Sequence, residues 1–282
     1  MNWYKGKKVL VTGGSSGIGK AAAIHLAGWG ADILLVARGR DRLATFGDPR
    51  YGGLDQAAEE VGRVGTGGRI ETLSLDVTDR PAVRAAVPVA IELLGGLDVL
   101  IHCAGIARPG PILELTDEIF DQTMLVNYTG TVNMVRAFLP HFLAQKKGRI
   151  AMVSSLAGLV GVFGYAAYAP SKFAVAGFGD VLRQELLDTG VGVTVVYPPD
   201  TDTPQHTEEV PFLPPETKAI AATAKLMAPE AVALEMLRGI ASGTFHVVPG
   251  FQNRFIVGLY GMAPFLVRSI LDGSARKGRG KP

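Results

Sequence analysis

The chain has 282 residues, with 28 lysines and arginines against 26 aspartates and glutamates, and its formal net charge is +2. This balance excludes general electrostatic support for nucleic-acid binding, while the length is sufficient for a full hydrophobic core. Because Cys103 is the one cysteine and residues 1–8 lack the apolar core of a signal peptide, we expect a reducing, cytoplasmic setting.

Apolar runs of strand length alternate with helical patterns along most of the chain, which is typical of a parallel sheet built from βαβ units. The predicted strands are 8–12, 32–37, 69–75, 97–102, 148–154, 192–197 and 244–248. The predicted helices are 17–29, 55–63, 80–94, 116–146, 168–189 and 229–242. The strands lack polar alternation, so helices should cover both faces. The pattern predicts one α/β domain with a doubly wound parallel sheet of about seven strands.

Three segments depart from this alternation. Residues 38–54 and 65–68 are rich in glycine and are interpreted as surface loops, and residues 198–214 are rich in proline and predict a long non-regular loop. The predicted domain spans residues 1–249. Residues 250–282 form an apolar and then basic tail, for which we expect either contact with a membrane surface or contact with another subunit.

A glycine-rich turn follows the first strand and opens the first helix. It reads Thr-Gly-Gly-Ser-Ser-Gly-Ile-Gly, and its candidate cofactor-binding residues are Gly13, Ser15, Ser16, Gly17, Ile18 and Gly19. Glycines allow the backbone to approach a pyrophosphate closely, and a helix N-terminus offers N–H groups to that anion. The turn therefore predicts a Rossmann-type dinucleotide site.

The Gly-x-x-x-Gly-x-Gly spacing resembles that of the short-chain dehydrogenase/reductases. The second strand ends at Arg38, with Arg42 four residues later, where an acidic residue would favour NAD. A guanidinium suits a 2′-phosphate, so we predict NADP(H), assisted by Ser15 or Ser16. The alternative is that Arg38 is only a solvated surface charge.

The same resemblance assigns two further cofactor contacts. Asp76 and Val77 follow the third strand, where the family binds the adenine ring, and Ala104 and Gly105 follow the fourth, where the backbone packs against the cofactor. The usual Asn-Asn-Ala-Gly is His-Cys-Ala-Gly here, so His102 is a departure from the family. We interpret Cys103 as a packed core thiol and predict no metal site.

Tyr168 and Lys172 stand four residues apart, which places both side chains on one face of a helix. A tyrosine has a reference pKa of about 10, so an acid that works near neutral pH needs about 4 kcal/mol of anion stabilisation. An ammonium about 4 Å away supplies about that much at an effective dielectric constant near 20. The pair predicts a proton donor with Lys172 as its electrostatic partner.

Ser155 precedes the tyrosine by thirteen residues, and the family spacing selects it over Ser154 as the group that hydrogen-bonds the substrate oxygen. Because side chains alternate along a strand, only one of the two serines should face the cleft. Asn127 matches the family asparagine that holds a water molecule and the lysine in a proton relay. The resemblance thus implies four catalytic residues.

After the sixth strand the chain reads Tyr-Pro-Pro-Asp-Thr-Asp-Thr-Pro, with Pro199 in place of the family glycine. By resemblance, Pro198, Thr201 and Thr203 contact the nicotinamide end of the cofactor. This string, the Val-Ala-Arg ending of the second strand and the glycine turn together resemble the 3-ketodihydrosphingosine reductases. We therefore expect NADPH-dependent reduction of a lipid-like 3-keto base.

Other functions fit the same residues. The enzymatic alternatives are a 3-oxoacyl-carrier-protein reductase and a steroid or other alcohol dehydrogenase, and the alternative from another class is a dinucleotide-sensing protein without catalysis. We expect a homo-oligomer, no nucleic-acid partner, and a cytoplasmic location with peripheral contact at the inner face of a membrane through the tail.

Overall fold

The computed structural model describes residues 1–38, 53–222 and 225–279. Its sheet has seven parallel strands in the order β3-β2-β1-β4-β5-β6-β7. The strands are β1 Lys8–Thr12, β2 Asp32–Ala37, β3 Ile70–Ser74, β4 Val99–His102, β5 Gly148–Val153, β6 Val191–Val196 and β7 His246–Val247. The predicted fold class and strand number are confirmed, with the bounds of five strands shifted by one or a few residues.

Helices cover both faces of this sheet. They are α1 Gly17–Gly28, α2 Leu54–Arg63, α3 Arg80–Leu94, α4 Asp117–Met124, α5 Gly130–Gln145, α6 Tyr168–Glu185, α7 Pro204–Glu209, α8 Pro215–Ala221, α9 Pro229–Ser242, α10 Phe251–Met262 and α11 Pro264–Arg279. The start of α3 has a local cause, since the Asp79 carboxylate accepts a hydrogen bond from the Ala82 N–H and a proline occupies the first turn.

The two faces of β1 are buried in different cores, as its continuous apolar run predicts. Val9 and Val11 pack with residues of α1, α2 and α9, whereas Leu10 packs with residues of α3, α5 and α6. All three side chains are at most 1% exposed. Burial of such a side chain stabilises a fold by about 1.5–3 kcal/mol, so these two cores hold the carboxyl end of β1 in place.

The strand order reverses between β1 and β4, because the chain adds β2 and β3 on one side of β1 and the later strands on the other. In open parallel sheets, ligands bind outside the carboxyl ends of the strands at such a switch point. The glycine turn follows β1, and Cys103, Ala104 and Gly105 follow β4. The fold therefore brings both predicted cofactor-binding segments to the same edge.

The predicted helix over residues 116–146 is helical from Asp117 to Gln145, but it contains a π-helical turn that the sequence did not predict. The structure has α4, then a π-helical turn at Leu125–Thr129, then α5. The turn contains Asn127, whose amide donates to the Ile106 carbonyl oxygen at 2.9 Å and accepts from the Ile106 N–H at 2.8 Å. Such bulges occur frequently at functional sites, and this one allows Asn127 to clamp the loop after β4.

The prediction of a non-regular loop over residues 198–214 is also wrong in part. Helix α7 lies inside it and α8 follows directly. Proline is favourable at the first position of a helix, because its missing N–H has no partner there anyway. Pro204 and Pro215 occupy that position, and the Thr203 hydroxyl oxygen accepts from the His206 N–H at 3.2 Å.

The tail after Pro249 forms α10 and α11, and α11 packs along α8. Arg279 forms an ion pair with Glu216 of α8 at 3.1 Å. Among the described helices none is by itself long and apolar enough to cross a membrane, whereas α10 and α11 meet that criterion of length and composition only as a pair, bent by 118°. The bend lies at Pro264, where α11 begins.

Candidate active site

A cavity of about 670 Å³ lies at the carboxyl edge of the sheet. Its wall includes most of the predicted site residues: Gly13, Ser15, Ser16, Gly17, Ile18, Gly19, Arg38, Asp76, Val77, Ala104, Gly105, Ser155, Tyr168, Lys172, Pro198, Thr201 and Thr203. Arg42 lies outside the described residues. The structure thus brings residues from seven separate stretches of sequence to one cavity.

The glycine turn is packed too closely to accept side chains. A Cβ atom on Gly19 would lie 2.3 Å from the Gly13 carbonyl oxygen, and one on Gly13, which has φ +65°, would lie 2.9 Å from the Ala104 nitrogen. Ser16 begins α1 without making a side-chain capping hydrogen bond. The first-turn N–H groups therefore face the cavity beside a surface of bare backbone, which fits a pyrophosphate.

The next three candidates lie farther along the same wall. Arg38 follows β2 and is exposed, which leaves its guanidinium at the cavity mouth. The Asp76 carboxylate accepts from the Thr78 N–H at 2.9 Å and the Thr78 hydroxyl at 2.7 Å, and Val77 is 7% exposed. The end of β2 and the loop after β3 fit the adenosine part of a dinucleotide.

The loop after β6 borders the cavity and reaches the glycine turn. The Thr201 hydroxyl donates to the Pro199 carbonyl oxygen at 2.7 Å, and the Pro198 carbonyl oxygen accepts from the Leu156 N–H at 3.0 Å. The Thr203 methyl group lies 3.2 Å from where a Cβ on Gly17 would stand. Pro199 therefore fits this loop, and the backbone hydrogen bond between Pro198 and Leu156 still connects the loop to the segment after β5.

Ser155 and Ser154 have different surroundings. The Ser154 side chain is 2% exposed and donates to the Lys172 carbonyl oxygen at 2.8 Å, which ties β5 to α6. The Ser155 side chain faces the cavity and hydrogen-bonds Tyr168. Only Ser155 is therefore available to a substrate at the tyrosine.

Lys172 is 4% exposed, and its ammonium donates to the Val153 carbonyl oxygen at 3.0 Å. The ammonium nitrogen lies 5.6 Å from the centre of the Tyr168 ring, and both side chains face the same cavity. Burial lowers the pKa of Lys172 to about 8. Pro170 lies in the first turn of α6, so it does not interrupt the helix that carries both groups.

Asn127 is fully buried, and besides Ile106 its amide contacts the Ser171 hydroxyl at 2.9 Å. It stands close to Lys172, because a Cβ on Gly105 would lie 3.1 Å from the Asn127 Oδ1 and 3.2 Å from the Lys172 Nζ. Any side chain at Gly105 would therefore intrude between these two groups.

His102 fills the place of the family asparagine as a buried neutral imidazole. It is 1% exposed, and burial lowers its pKa to about 3. The Thr12 hydroxyl oxygen accepts from the N–H groups of Cys103 and Ala104 at 3.2 Å each and lies 2.9 Å from the His102 Nδ1. Burial also raises the pKa of Cys103 to about 12, consistent with a packed thiol.

Three residues that the sequence did not point to surround Tyr168. The Tyr165 ring lies 5.5 Å from the Tyr168 ring, and its hydroxyl donates to the Glu209 carboxylate at 3.0 Å. Burial, Glu209 and Asp200 raise the pKa of Tyr168, whereas the hydrogen bond with Ser155 lowers it. The phenol is therefore protonated at neutral pH. The sequence carries no signal for this contact, since Tyr165 and Glu209 are far apart in the chain.

The family model for short chain dehydrogenases matches residues 7–212. A 3-ketodihydrosphingosine reductase of Bos taurus is 38% identical over 272 residues, which cover 95% of this chain and 78% of that protein. A 3-ketodihydrosphingosine reductase of Dictyostelium discoideum is 36% identical over 267 residues, which cover 93% and 80%.

The fold is also shared with solved structures. A short-chain dehydrogenase/reductase of Burkholderia phymatum in complex with NAD superposes with a TM-score of 0.77 at 22% identity, covering 94% of this chain and 96% of that one. Both resemblances predicted from the motifs are thereby confirmed. The chain belongs to the short-chain dehydrogenase family and is an oxidoreductase.

Proposed function

We propose that this protein is an NADPH-dependent reductase that converts the 3-keto group of a long-chain base to a secondary alcohol. The observation that carries the proposal is a single cavity in which Tyr168, Ser155 and Lys172 stand beside the glycine turn and an apolar extension. The names of the similar proteins from cattle and Dictyostelium support the same substrate class.

NADP(H) fits the cavity wall as the cofactor. The glycine turn would hold the pyrophosphate, Asp76 and Val77 would border the adenine, and Arg38 with Ser15 or Ser16 would bind the 2′-phosphate. Bound NADPH supplies the hydride that the carbonyl carbon receives. The Arg38 position, where an acidic side chain would favour NAD, supports the choice of NADPH.

The side chains of this chain supply the proton and the orientation. Ser155 and the Tyr168 hydroxyl both donate to the substrate carbonyl oxygen, which accumulates negative charge as the carbon is reduced. The phenol proton then moves to that oxygen and gives the alcohol. Lys172 stabilises the remaining phenolate, and Asn127 fixes the loop and the helix that border this lysine.

The far side of the cavity suits an alkyl chain. Its apolar wall includes Val160, Leu213, Ile256, Val267 and Leu271, from the loop after β5, the segment after α7, and the tail helices. Burial of each methylene of an alkyl chain contributes about 0.8 kcal/mol. A substrate whose reacting carbonyl is followed by a long hydrocarbon is therefore favoured over a compact polar alcohol.

The proposal is tested by NADPH oxidation with the purified protein, using 3-ketodihydrosphingosine beside 3-oxoacyl thioesters and steroid ketones, with NADH as the alternative cofactor. The expected kcat/KM is higher for the keto base than for the thioesters and the steroid ketones. It is also expected to be higher with NADPH than with NADH. Preference for the thioesters identifies a 3-oxoacyl-carrier-protein reductase instead, and dinucleotide binding without turnover of any ketone indicates a non-catalytic sensor.

For the tail we propose peripheral contact with an anionic lipid surface at the cytoplasmic side of a membrane. Helices α10 and α11 present Phe255, Phe265 and Ile270 to solvent, each at least 60% exposed, and α11 ends with Arg276, Lys277 and Arg279. Exposed apolar groups beside basic residues are typical of interfacial helices. The inner face of the same helices lines the cavity, so an alkyl chain could pass from lipid to the active site.

Removal of the whole tail is a poor test, because α11 also packs on α8. Phe255→Ser with Phe265→Ser should instead weaken sedimentation with anionic liposomes, whereas Leu187→Ser, an exposed apolar residue after α6, should leave it unchanged. If the double variant binds liposomes as wild type does but converts an oligomer to a monomer, this face is a subunit contact and the lipid proposal is wrong. The same series of sedimentation measurements gives the oligomeric state of the wild type, and so tests the predicted homo-oligomer.

A further inference from the structure

Glu209 is a buried carboxylate on the wall of the active-site cavity. It is 6% exposed, and its Oε2 accepts from the Tyr165 hydroxyl at 3.0 Å while its Oε1 accepts from the Gln205 amide at 2.8 Å. The Tyr165 ring lies 5.5 Å from the Tyr168 ring. The carboxylate is thus separated from the proposed proton donor by one aromatic ring.

The charge of this carboxylate has no ion-pair partner among residues 1–38, 53–222 and 225–279. Lys172 and His206 act on it only from beyond ion-pair distance. Neutral hydrogen bonds compensate a buried charge only in part, so burial raises the pKa of Glu209, and its carboxylate form is stabilised when a cation joins it. A ligand cation that enters the cavity would supply this stabilisation.

A second acidic residue on the same wall has a carboxylate oxygen without a hydrogen-bond partner among the described residues. Glu208 lines the cavity, and its Oε1 is buried without a hydrogen-bond partner among the described residues. Asp200 faces the cavity from the loop after β6. Three carboxylates therefore line the cavity that contains Tyr168, and two of them, Glu209 and Asp200, are close enough to act on its phenol.

The negative field of these two carboxylates opposes the proposed chemistry. Glu209 and Asp200 disfavour the phenolate that Tyr168 becomes when it gives up its proton, as does any like charge near a forming anion. With a neutral ketone as substrate, nothing offsets this destabilisation of the phenolate. A ketone with a positive charge next to its carbonyl would offset it.

We propose that Glu209, assisted by Glu208 and Asp200, binds the ammonium group of a 2-amino-3-keto substrate and so selects aminated over neutral ketones. This inference rests on the proposed function and names the group that determines its specificity. A sphingoid 3-keto base carries its amine on the carbon beside the carbonyl. With the carbonyl oxygen at Ser155 and Tyr168, the amine lies against the neighbouring wall and the alkyl chain extends toward α10 and α11.

The experiment compares two ketones of equal, short chain length, a 2-amino-1-hydroxy-3-ketone and the 1-hydroxy-3-ketone that has hydrogen in place of the amine. Both are assayed with wild type and with Glu209→Gln, which keeps an acceptor for Tyr165 but removes the charge. Glu185→Gln removes one charge at the opposite end of α6, about 26 Å along the helix from Tyr168 at 1.5 Å per residue, and is the matched control.

Wild type should prefer the amino ketone, and Glu209→Gln should lower kcat/KM for it by about 10- to 100-fold, as expected for loss of a charged hydrogen bond. The same variant should keep or raise kcat/KM for the deamino ketone, because the opposing field on Tyr168 weakens. Glu185→Gln should behave as wild type. Binding of the amino alcohol product should weaken in Glu209→Gln, with the binding of NADPH unchanged and the Tm not lowered.

Tyr165→Phe separates the carboxylate from its phenol partner. Since the charge remains, this variant should retain the preference for the amino ketone. Equal losses of kcat/KM for both ketones in Glu209→Gln, or loss of the preference in Tyr165→Phe alone, would overturn the inference while the proposed function stands. Failure of wild type to reduce the amino ketone, with good turnover of 3-oxoacyl thioesters, would overturn both.

Discussion

Replacement of Lys172 by methionine tests the electrostatic role of its ammonium, because methionine fills a similar volume without charge. The ammonium lies 5.6 Å from the centre of the Tyr168 ring. A unit negative charge placed at that centre would interact with the ammonium by about 3 kcal/mol at an effective dielectric constant of about 20, which sets the scale for the phenolate. This interaction energy is smaller than the value of about 4 kcal/mol expected for the separation of about 4 Å that the helical spacing suggested. It still corresponds to about two pKa units of the phenol.

Lys172→Met should therefore lower kcat/KM for ketone reduction at pH 7 by up to about 100-fold. The pH profile gives the second readout. Burial lowers the pKa of Lys172 to about 8, so wild type holds the cation below that pH and loses it as the pH rises through about 8. Reduction by wild type should fall over that range, and the variant should lack this decline.

The assay is initial-rate NADPH oxidation from pH 6 to pH 10, with the Kd for NADPH measured separately because Lys172 also lines the cofactor cavity. Lys147→Met is the matched control, since it removes an exposed lysine just before β5, at the opposite edge of the sheet. A variant that retains wild-type rates at pH 7 and the same decline near pH 8 would refute this role for the lysine.

Three further variants probe the other parts of the site. Arg38→Ala should raise the Kd for NADPH by about 10- to 100-fold and leave that for NADH unchanged in fluorescence titrations; equal changes for both would remove the 2′-phosphate assignment. Gly105→Ala should lower kcat by about tenfold or more, because its Cβ would stand within 3.2 Å of the Asn127 Oδ1 and the Lys172 Nζ; unchanged kcat would contradict the close packing. Ser155→Ala should lower kcat by about 100-fold with NADPH binding retained, whereas an effect confined to KM would assign it to substrate binding alone.

Much of the fold could be predicted because the interior imposes strong patterns. The strands β1 and β2 and the helix α3 have the bounds that their sequence predicts, since continuous apolar runs end abruptly at polar residues or glycines and since Asp79 and Gly95 cap α3. The glycine turn, Ser155, Tyr168 and Lys172 could likewise be found in the sequence, because their chemistry depends on local spacing along single elements.

The remaining features of the fold and the site depend on tertiary contacts, which local sequence patterns do not contain. Apolar periodicity does not predict the π-helical turn at Asn127, whose side chain hydrogen-bonds Ile106. Proline in residues 198–214 predicts a loop, although proline begins α7 and α8. Glu209 meets Tyr165 across 44 residues of sequence because α7 folds back over the cavity. The packing of α11 on α8 was missed for the same reason.

The most direct test of the account follows one hydrogen atom. NADPH deuterated at the transferable position of its nicotinamide is incubated with 3-ketodihydrosphingosine and the purified protein, and the product is analysed by mass spectrometry. The account predicts dihydrosphingosine with deuterium on carbon 3 from wild type, and almost none from Tyr168→Phe, which keeps the ring but has no proton to donate. Unlabelled product, no product from wild type, or equal labelling by the variant would contradict it.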